Sequence, residues 1–130
     1  MKSTISQKRT TDCGVACIKF ITGEPYGKIE KIVKNTTGGT LRTYEEDIRS
    51  VLRELGFKLK YRFSFNIKNW PSIRNRANLS LALVGINYNK SKWHWVMYKK
   101  SIDSFWDPLF GKYRTDFRSG TKFRSFLRIK

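Results

Sequence analysis

The hydrophobic period of this chain changes once, at Gly56, and that change sets the class of fold it can adopt. Upstream of it, apolar residues recur at helical spacing. Residues 13–22 carry an apolar helical pattern, with Asp12 placed ahead of it as an N-cap. Gly23-Glu24-Pro25 breaks the pattern, and Ile29, Ile32 and Val33 predict a short second helix that ends near the loop NTTGGT. Thr43 with Glu46 three residues on is a capping-box pair. Ile48, Val51, Leu52 and Leu55 then form one helical face, with Gly56 as its C′ residue.

Downstream of Gly56 the period becomes two. Phe57, Leu59, Tyr61, Phe63 and Phe65 alternate with Lys58, Lys60, Arg62 and Ser64, the pattern of a half-buried strand. Trp70-Pro71 marks a turn or helix start, LSLALVGI (79–86) a buried strand, and NYNKSK a turn. WHWVMYK (93–99) and SIDSFW (101–106) are the next strands, and the chain beyond Asp107-Pro108 reads as a final pair of short strands or irregular segments. Helices followed by consecutive strands is the α+β order, with an antiparallel sheet. No linker or repeat interrupts it, so residues 1–130 read as a single domain of common size.

A domain of this length buries roughly two-thirds of its unfolded surface and needs neither metal nor disulfide to fold. Cys13 and Cys17 are the two cysteines, one helical turn apart on one face, a poor geometry for a disulfide. One histidine and two cysteines fall short of a zinc ligand set, so no metal or other cofactor is expected. The segment Met1 to Ser6 is not followed by an apolar run of the kind a secretory signal has, and no stretch approaches the ~18 apolar residues of a membrane span. The expected location is therefore the reducing cytoplasm.

Four side chains carry chemistry. Cys13 opens the first helix, where the dipole and the N–H groups of the first turn favour a thiolate. A cysteine taken alone is more often a small buried apolar residue, and Cys17, among Ile18 and Ile21, reads as core. His94 is the sole histidine and shares a strand face with Val96 and Tyr98. Asp107 ends the following strand. If the two strands pair as a hairpin, its carboxylate approaches the His94 ring; Asp103 is the alternative acid. Gln7, six residues before Cys13, supplies an amide. A thiol, an imidazole, a carboxylate and an amide are the parts of a cysteine acyl-transfer site. The thiolate attacks a carbonyl and the imidazole moves the proton. The carboxylate fixes the tautomer, and N–H donors hold the oxyanion.

These residues carry a resemblance. Gln7, Asp12-Cys13-Gly14-Val15-Ala16-Cys17, Gly39-Thr40-Leu41, Leu55-Gly56-Phe57, His94-Trp95-Val96 and Asp107-Pro108 through Gly111 resemble the bacteriocin-processing peptidases, papain-like cysteine proteases that cut after double-glycine leader motifs. The resemblance spans nearly the whole chain. It implies a papain-like fold with N-terminal helices on an antiparallel sheet. It also implies Cys13, His94 and Asp107 as catalytic residues, Gln7 in the oxyanion hole, and a peptide substrate cut after Gly or Ala. The pair Gly38-Gly39 within the chain reads as a loop rather than a cleavage motif.

Charge supports a second reading. The formal net charge is +17, and no Asp or Glu occurs between Leu55 and Ile102. Lys58, Lys60 and Arg62 share one face. A basic tail interleaves Lys112, Arg114, Arg118, Lys122, Arg124 and Arg128 with Tyr113, Phe117, Phe123 and Phe126. Phosphate contacts and stacking platforms are what a nucleic-acid surface needs, although a solvated face with core aromatics has the same pattern. The alternative to a peptidase is thus a basic module binding nucleic acid or a host protein on a peptidase fold, of the kind a phage or mobile element encodes.

Overall fold

The computed structural model describes residues 12–65, 79–87, 93–109, 111–115 and 121–129. Among the described residues it is of the α+β class: three helices precede a six-stranded antiparallel sheet. The chain forms two compact units, one comprising residues up to Lys60 together with Pro108–Gly111, the other Tyr61–Asp107 with Lys112–Lys130.

In the helical unit, α1 (Cys13–Thr22), α2 (Tyr26–Thr37) and α3 (Glu45–Glu54) pack pairwise. Val15, Ala16, Cys17 and Ile18 of α1, Ile29 and Val33 of α2, and Ile48, Val51 and Leu52 of α3 are buried. Each of the valine, isoleucine and leucine side chains contributes roughly 1.5–3 kcal/mol by leaving water. The helix ends follow from glycine. Gly23 (φ 75°) and Gly38 (φ 82°) close α1 and α2 in the left-handed conformation. The Gly38-Gly39 pair is thereby explained as a turn, with φ 117° at Gly39. At the end of α3, the Gly56 N–H bonds the Arg53 carbonyl and the Phe57 N–H bonds the Leu52 carbonyl, a Schellman closure about Gly56.

Of the two expected caps, the first is found in position but without its side-chain bond, and the second is corrected. Asp12 occupies the N-cap position of α1 but makes no side-chain capping bond; its carboxylate accepts a hydrogen bond from Tyr26 Oη instead. The capping pair of α3 is Tyr44 and Asp47 rather than Thr43 and Glu46. The Asp47 carboxylate accepts from the Tyr44 N–H at 2.8 Å, while Thr43 is buried against α1. Gly14 makes that approach possible, because a Cβ there would overlap Thr43 Oγ1.

In the sheet unit the strands are β1 (Ser64–Phe65), β2 (Leu81–Asn87), β3 (Trp93–Lys99), β4 (Ser104–Asp107), β5 (Lys112–Arg114) and β6 (Lys122–Arg128), in the order β1-β6-β2-β3-β4-β5. β2 to β5 form a meander, and β6 returns to lie between β1 and β2. The basic tail is therefore partly an interior strand, with Ser125, Phe126 and Leu127 buried. Of its aromatics, Phe126 and Phe123 belong to the core rather than to an exposed stacking surface. The alternating segment from Phe57 differs from expectation as well. Phe57, Leu59, Tyr61 and Phe63 are more buried than Lys58, Lys60 and Arg62, but among the described residues the segment joins a ladder only at Ser64 and Phe65, opposite Phe126 and Ser125.

One sheet face gathers Ala82, Val84, Ile86, Val96, Tyr98, Phe105 and Phe126. The other presents Leu83, Trp95, Met97, Trp106 and Leu127, all buried. A strand buried on both faces needs a continuous apolar run, which is why LALVGI does not alternate. Gly85 pairs with Trp95, and a Cβ at Gly85 would stand 3.0 Å from both Trp95 Cζ3 and Ser125 Oγ. The indole thus lies over a position that a larger residue would obstruct.

Candidate active site

The imidazole and the carboxylate are brought together by the β3–β4 hairpin. Met97 pairs with Trp106, Tyr98 with Phe105 and Lys99 with Ser104. Alternation then puts His94, Val96 and Tyr98 of β3 on the same face as Phe105 and Asp107 of β4. His94 Nε2 lies 2.7 Å from Asp107 Oδ1. Both residues are buried, at 4% and 2% exposure, so the interaction is shielded from water and from salt. With Asp107 ionised, Nε2–H donates to Oδ1 and the ring lone pair resides on Nδ1.

Asp103, the alternative acid, is placed elsewhere. It follows the 3-10 turn Lys100–Ile102 in the left-handed conformation (φ 47°) and accepts from Tyr98 Oη at 2.7 Å. Tyr98 is four residues along the strand from His94, roughly 13 Å at the usual rise.

Asp107 opens the turn of the β4–β5 hairpin. It pairs with Lys112, so Pro108–Gly111 is the connecting loop. Gly111 takes φ 65°, a conformation that favours glycine. The D-P-x-x-G pattern is thereby a hairpin loop that fixes where the carboxylate sits. The same register places Phe105 opposite Arg114, on the Asp107 face, and Arg114 Nη1 donates to Asp107 Oδ2 at 3.2 Å. Sequence reasoning grouped Arg114 with the tail charges. A four-residue loop after Asp107 was the signal that would have placed it here.

The thiol belongs to the helical unit. Cys13 is the first residue of α1 and is partly exposed; Cys17 is buried one turn on, and neither is in a disulfide. The Asp12 carboxylate, buried beside Cys13 in the chain, joins the start of α1 to the start of α2 through Tyr26. Gln7 lies outside the described residues, as do Trp70-Pro71 and the NYNKSK turn from residue 88 on.

Among the described residues no group of three or more His, Cys, Asp or Glu side chains is placed to hold a metal ion, and no helix is long and apolar enough to cross a membrane. Of the basic residues on the segment preceding β1, Lys58, Lys60 and Arg62 are all exposed. Known protein families, curated proteins and solved structures offer no match to this chain.

Proposed function

We propose that this chain is a cysteine endopeptidase of papain-like fold that cleaves a peptide substrate in the cytoplasm, after Gly or Ala in double-glycine-like sequences. The observation that supports it most is the buried 2.7 Å contact between His94 Nε2 and Asp107 Oδ1, which selects a histidine tautomer suited to general-base chemistry.

In this reading Nδ1 takes the proton of the Cys13 thiol. The thiolate adds to the scissile carbonyl carbon, and the Cys13 N–H and the Gln7 amide hold the oxyanion. The imidazolium then gives its proton to the leaving amine as the C–N bond breaks, which leaves a thioester on Cys13. Water, deprotonated by Nδ1, adds to the thioester and expels the thiolate, which recovers its proton. The mechanism requires Cys13 Sγ within hydrogen-bond reach of Nδ1.

The test is cleavage of a peptide library by the wild-type chain and by Cys13→Ala, His94→Ala, Asp107→Asn and Gln7→Ala. The first two abolish cleavage, and combining them is hardly worse than either, because the pair acts as a unit. Loss of the Gln7 donor costs about 10²–10³ in rate. Cleavage retained by Cys13→Ala, or a library with no preference for Gly or Ala before the cut bond, removes the corresponding part of the proposal.

A separate reading, favoured by the exposed Lys58, Lys60 and Arg62 in an acid-free stretch, is that the surface binds polyanions such as nucleic acid independently of catalysis.

A further inference from the structure

Asp107 is engaged at both of its oxygens, Oδ1 by His94 Nε2 at 2.7 Å and Oδ2 by Arg114 Nη1 at 3.2 Å. We infer that Arg114 is a positioning residue for the imidazole: it fixes the rotation of the Asp107 carboxylate and supplies its permanent counter-charge. The kinetic consequence rests on the peptidase reading, whereas the consequence for the histidine tautomer rests on the sheet geometry alone.

A donor on each oxygen restricts the turning of a carboxylate about its Cβ–Cγ bond more than a donor on one oxygen does. Charge leads to the same residue. A buried carboxylate is costly unless paired, and the Asp107 side chain is only 3% exposed. A histidine that gains and loses a proton in each cycle is neutral for part of it and then offers no counter-charge. A guanidinium is charged throughout.

The placement of Arg114 follows from the fold. The loop after Asp107 puts Lys112 opposite the carboxylate, and the next residue on the same face, Arg114, reaches back to it. The Arg114 side chain remains 34% exposed, so it keeps part of its hydration while one nitrogen meets the acid. A bond of 3.2 Å is longer than the usual charge-assisted range. The effect is therefore graded rather than all-or-none. Lys112, exposed on the same face, provides a control: its removal takes away one charge near Asp107 without removing the Arg114 bond.

Because His94 is the only histidine, the full ¹⁵N-labelled chain shows a single imidazole, and a long-range ¹H–¹⁵N correlation spectrum gives its tautomer directly. The wild type and Lys112→Gln are expected to hold the Nε2–H form when neutral. Arg114→Gln is expected to populate the Nδ1–H form as well, and Arg114→Lys to restore most of the Nε2–H form. In cleavage assays, Arg114→Gln lowers kcat about tenfold with KM unchanged, well short of the about 10⁴ that a wrong tautomer costs a serine triad. Arg114→Met, which keeps the aliphatic stem, replaces the Gln variant if circular dichroism shows that variant unfolded. An Nε2–H tautomer and kcat both unchanged in Arg114→Gln overturn the inference, as does an equal tautomer shift in Lys112→Gln. A shift in Arg114→Gln alone, in a chain that cleaves no peptide, upholds the positioning role and removes the peptidase reading.

Discussion

Replacing Gly14 by Ala sets two effects of opposite sign against each other at the residue after the candidate nucleophile. Alanine is favoured over glycine in a helix interior by about 0.8–1 kcal/mol, and by less in the first turn, where Gly14 lies. Against this, the new methyl group would overlap Thr43 Oγ1 and stand 3.3 Å from Thr43 Cβ and 3.4 Å from Ile48 Cδ1. Turning Thr43 about its Cα–Cβ bond puts its methyl group or its hydrogen in place of the hydroxyl, but in every rotamer Thr43 Cβ stays 3.3 Å from the new methyl, and both residues are buried, so neither can swing into solvent. The remaining relief is to part α1 from the segment leading into α3. Overpacking of this kind costs about 1–3 kcal/mol, so the net change is a destabilisation of about 1–2 kcal/mol, or roughly 5 °C in Tm. The four tryptophans lie at positions 70, 93, 95 and 106, so fluorescence follows the C-terminal part of the chain. Urea unfolding should therefore be followed by circular dichroism at 222 nm with fluorescence in parallel. Non-coincident curves would reveal the helical unit unfolding by itself. Combining Gly14→Ala with Thr43→Ala removes the overlapping hydroxyl, and the double variant should be more stable than the two single losses add up to, by about 1 kcal/mol. A Gly14→Ala chain that gains stability, or a strictly additive pair, would refute the overlap as the cause.

Iodoacetamide should label Cys13 in the folded protein and Cys17 only after denaturation, because Cys13 is partly exposed and Cys17 wholly buried; peptide mass spectrometry reads the difference, and equal labelling contradicts the placement. Truncation after Arg118 removes β6 from between β1 and β2, so the shortened chain should lose cooperative unfolding; a sharp transition in circular dichroism would show the sheet closing without it. Changing Lys58, Lys60 and Arg62 to Gln should leave stability within about 0.5 kcal/mol, as exposed positions do. If those charges meet phosphates of duplex DNA, the same change should shallow the dependence of log K on log salt by about 0.9 for each phosphate no longer neutralised, measured by fluorescence anisotropy.

Periodicity carried the three helices because each buries the face its apolar spacing marks out, as with Ile48, Val51 and Leu52. The meeting of His94 and Asp107 was legible for a related reason: a short hairpin leaves few ways to place an acid just past the last paired positions. What was not legible depended on distant partners. Asp12 has the composition of a cap, but its carboxylate is engaged by Tyr26 on the next helix, which no local rule anticipates. Thr43-Glu46 and Tyr44-Asp47 are overlapping candidates one residue apart, and the burial of Thr43 against Gly14 accompanies the later one. The alternation from Phe57 reports burial faithfully but says nothing of whether a neighbouring strand continues alongside. In β6 the exposed Lys122 and Arg124 disguise a strand whose Phe126 and Leu127 are core.

The insertion of β6 between β1 and β2 also orders events during synthesis. The hairpins from β2 to β5 pair strands close together in the chain and can form as each emerges. Phe65 must wait roughly sixty residues for Ser125. Loop closure over that distance is slow compared with a hairpin, and the ladder edge of β2 stays open in the meantime. An open edge beside an apolar run such as LALVGI is a template for pairing with another chain. The nascent protein is therefore most prone to aggregate after β2 has been made and before β6 arrives. In that interval a bound chaperone, or a slow ribosome, has the greatest influence on how much chain reaches the native sheet.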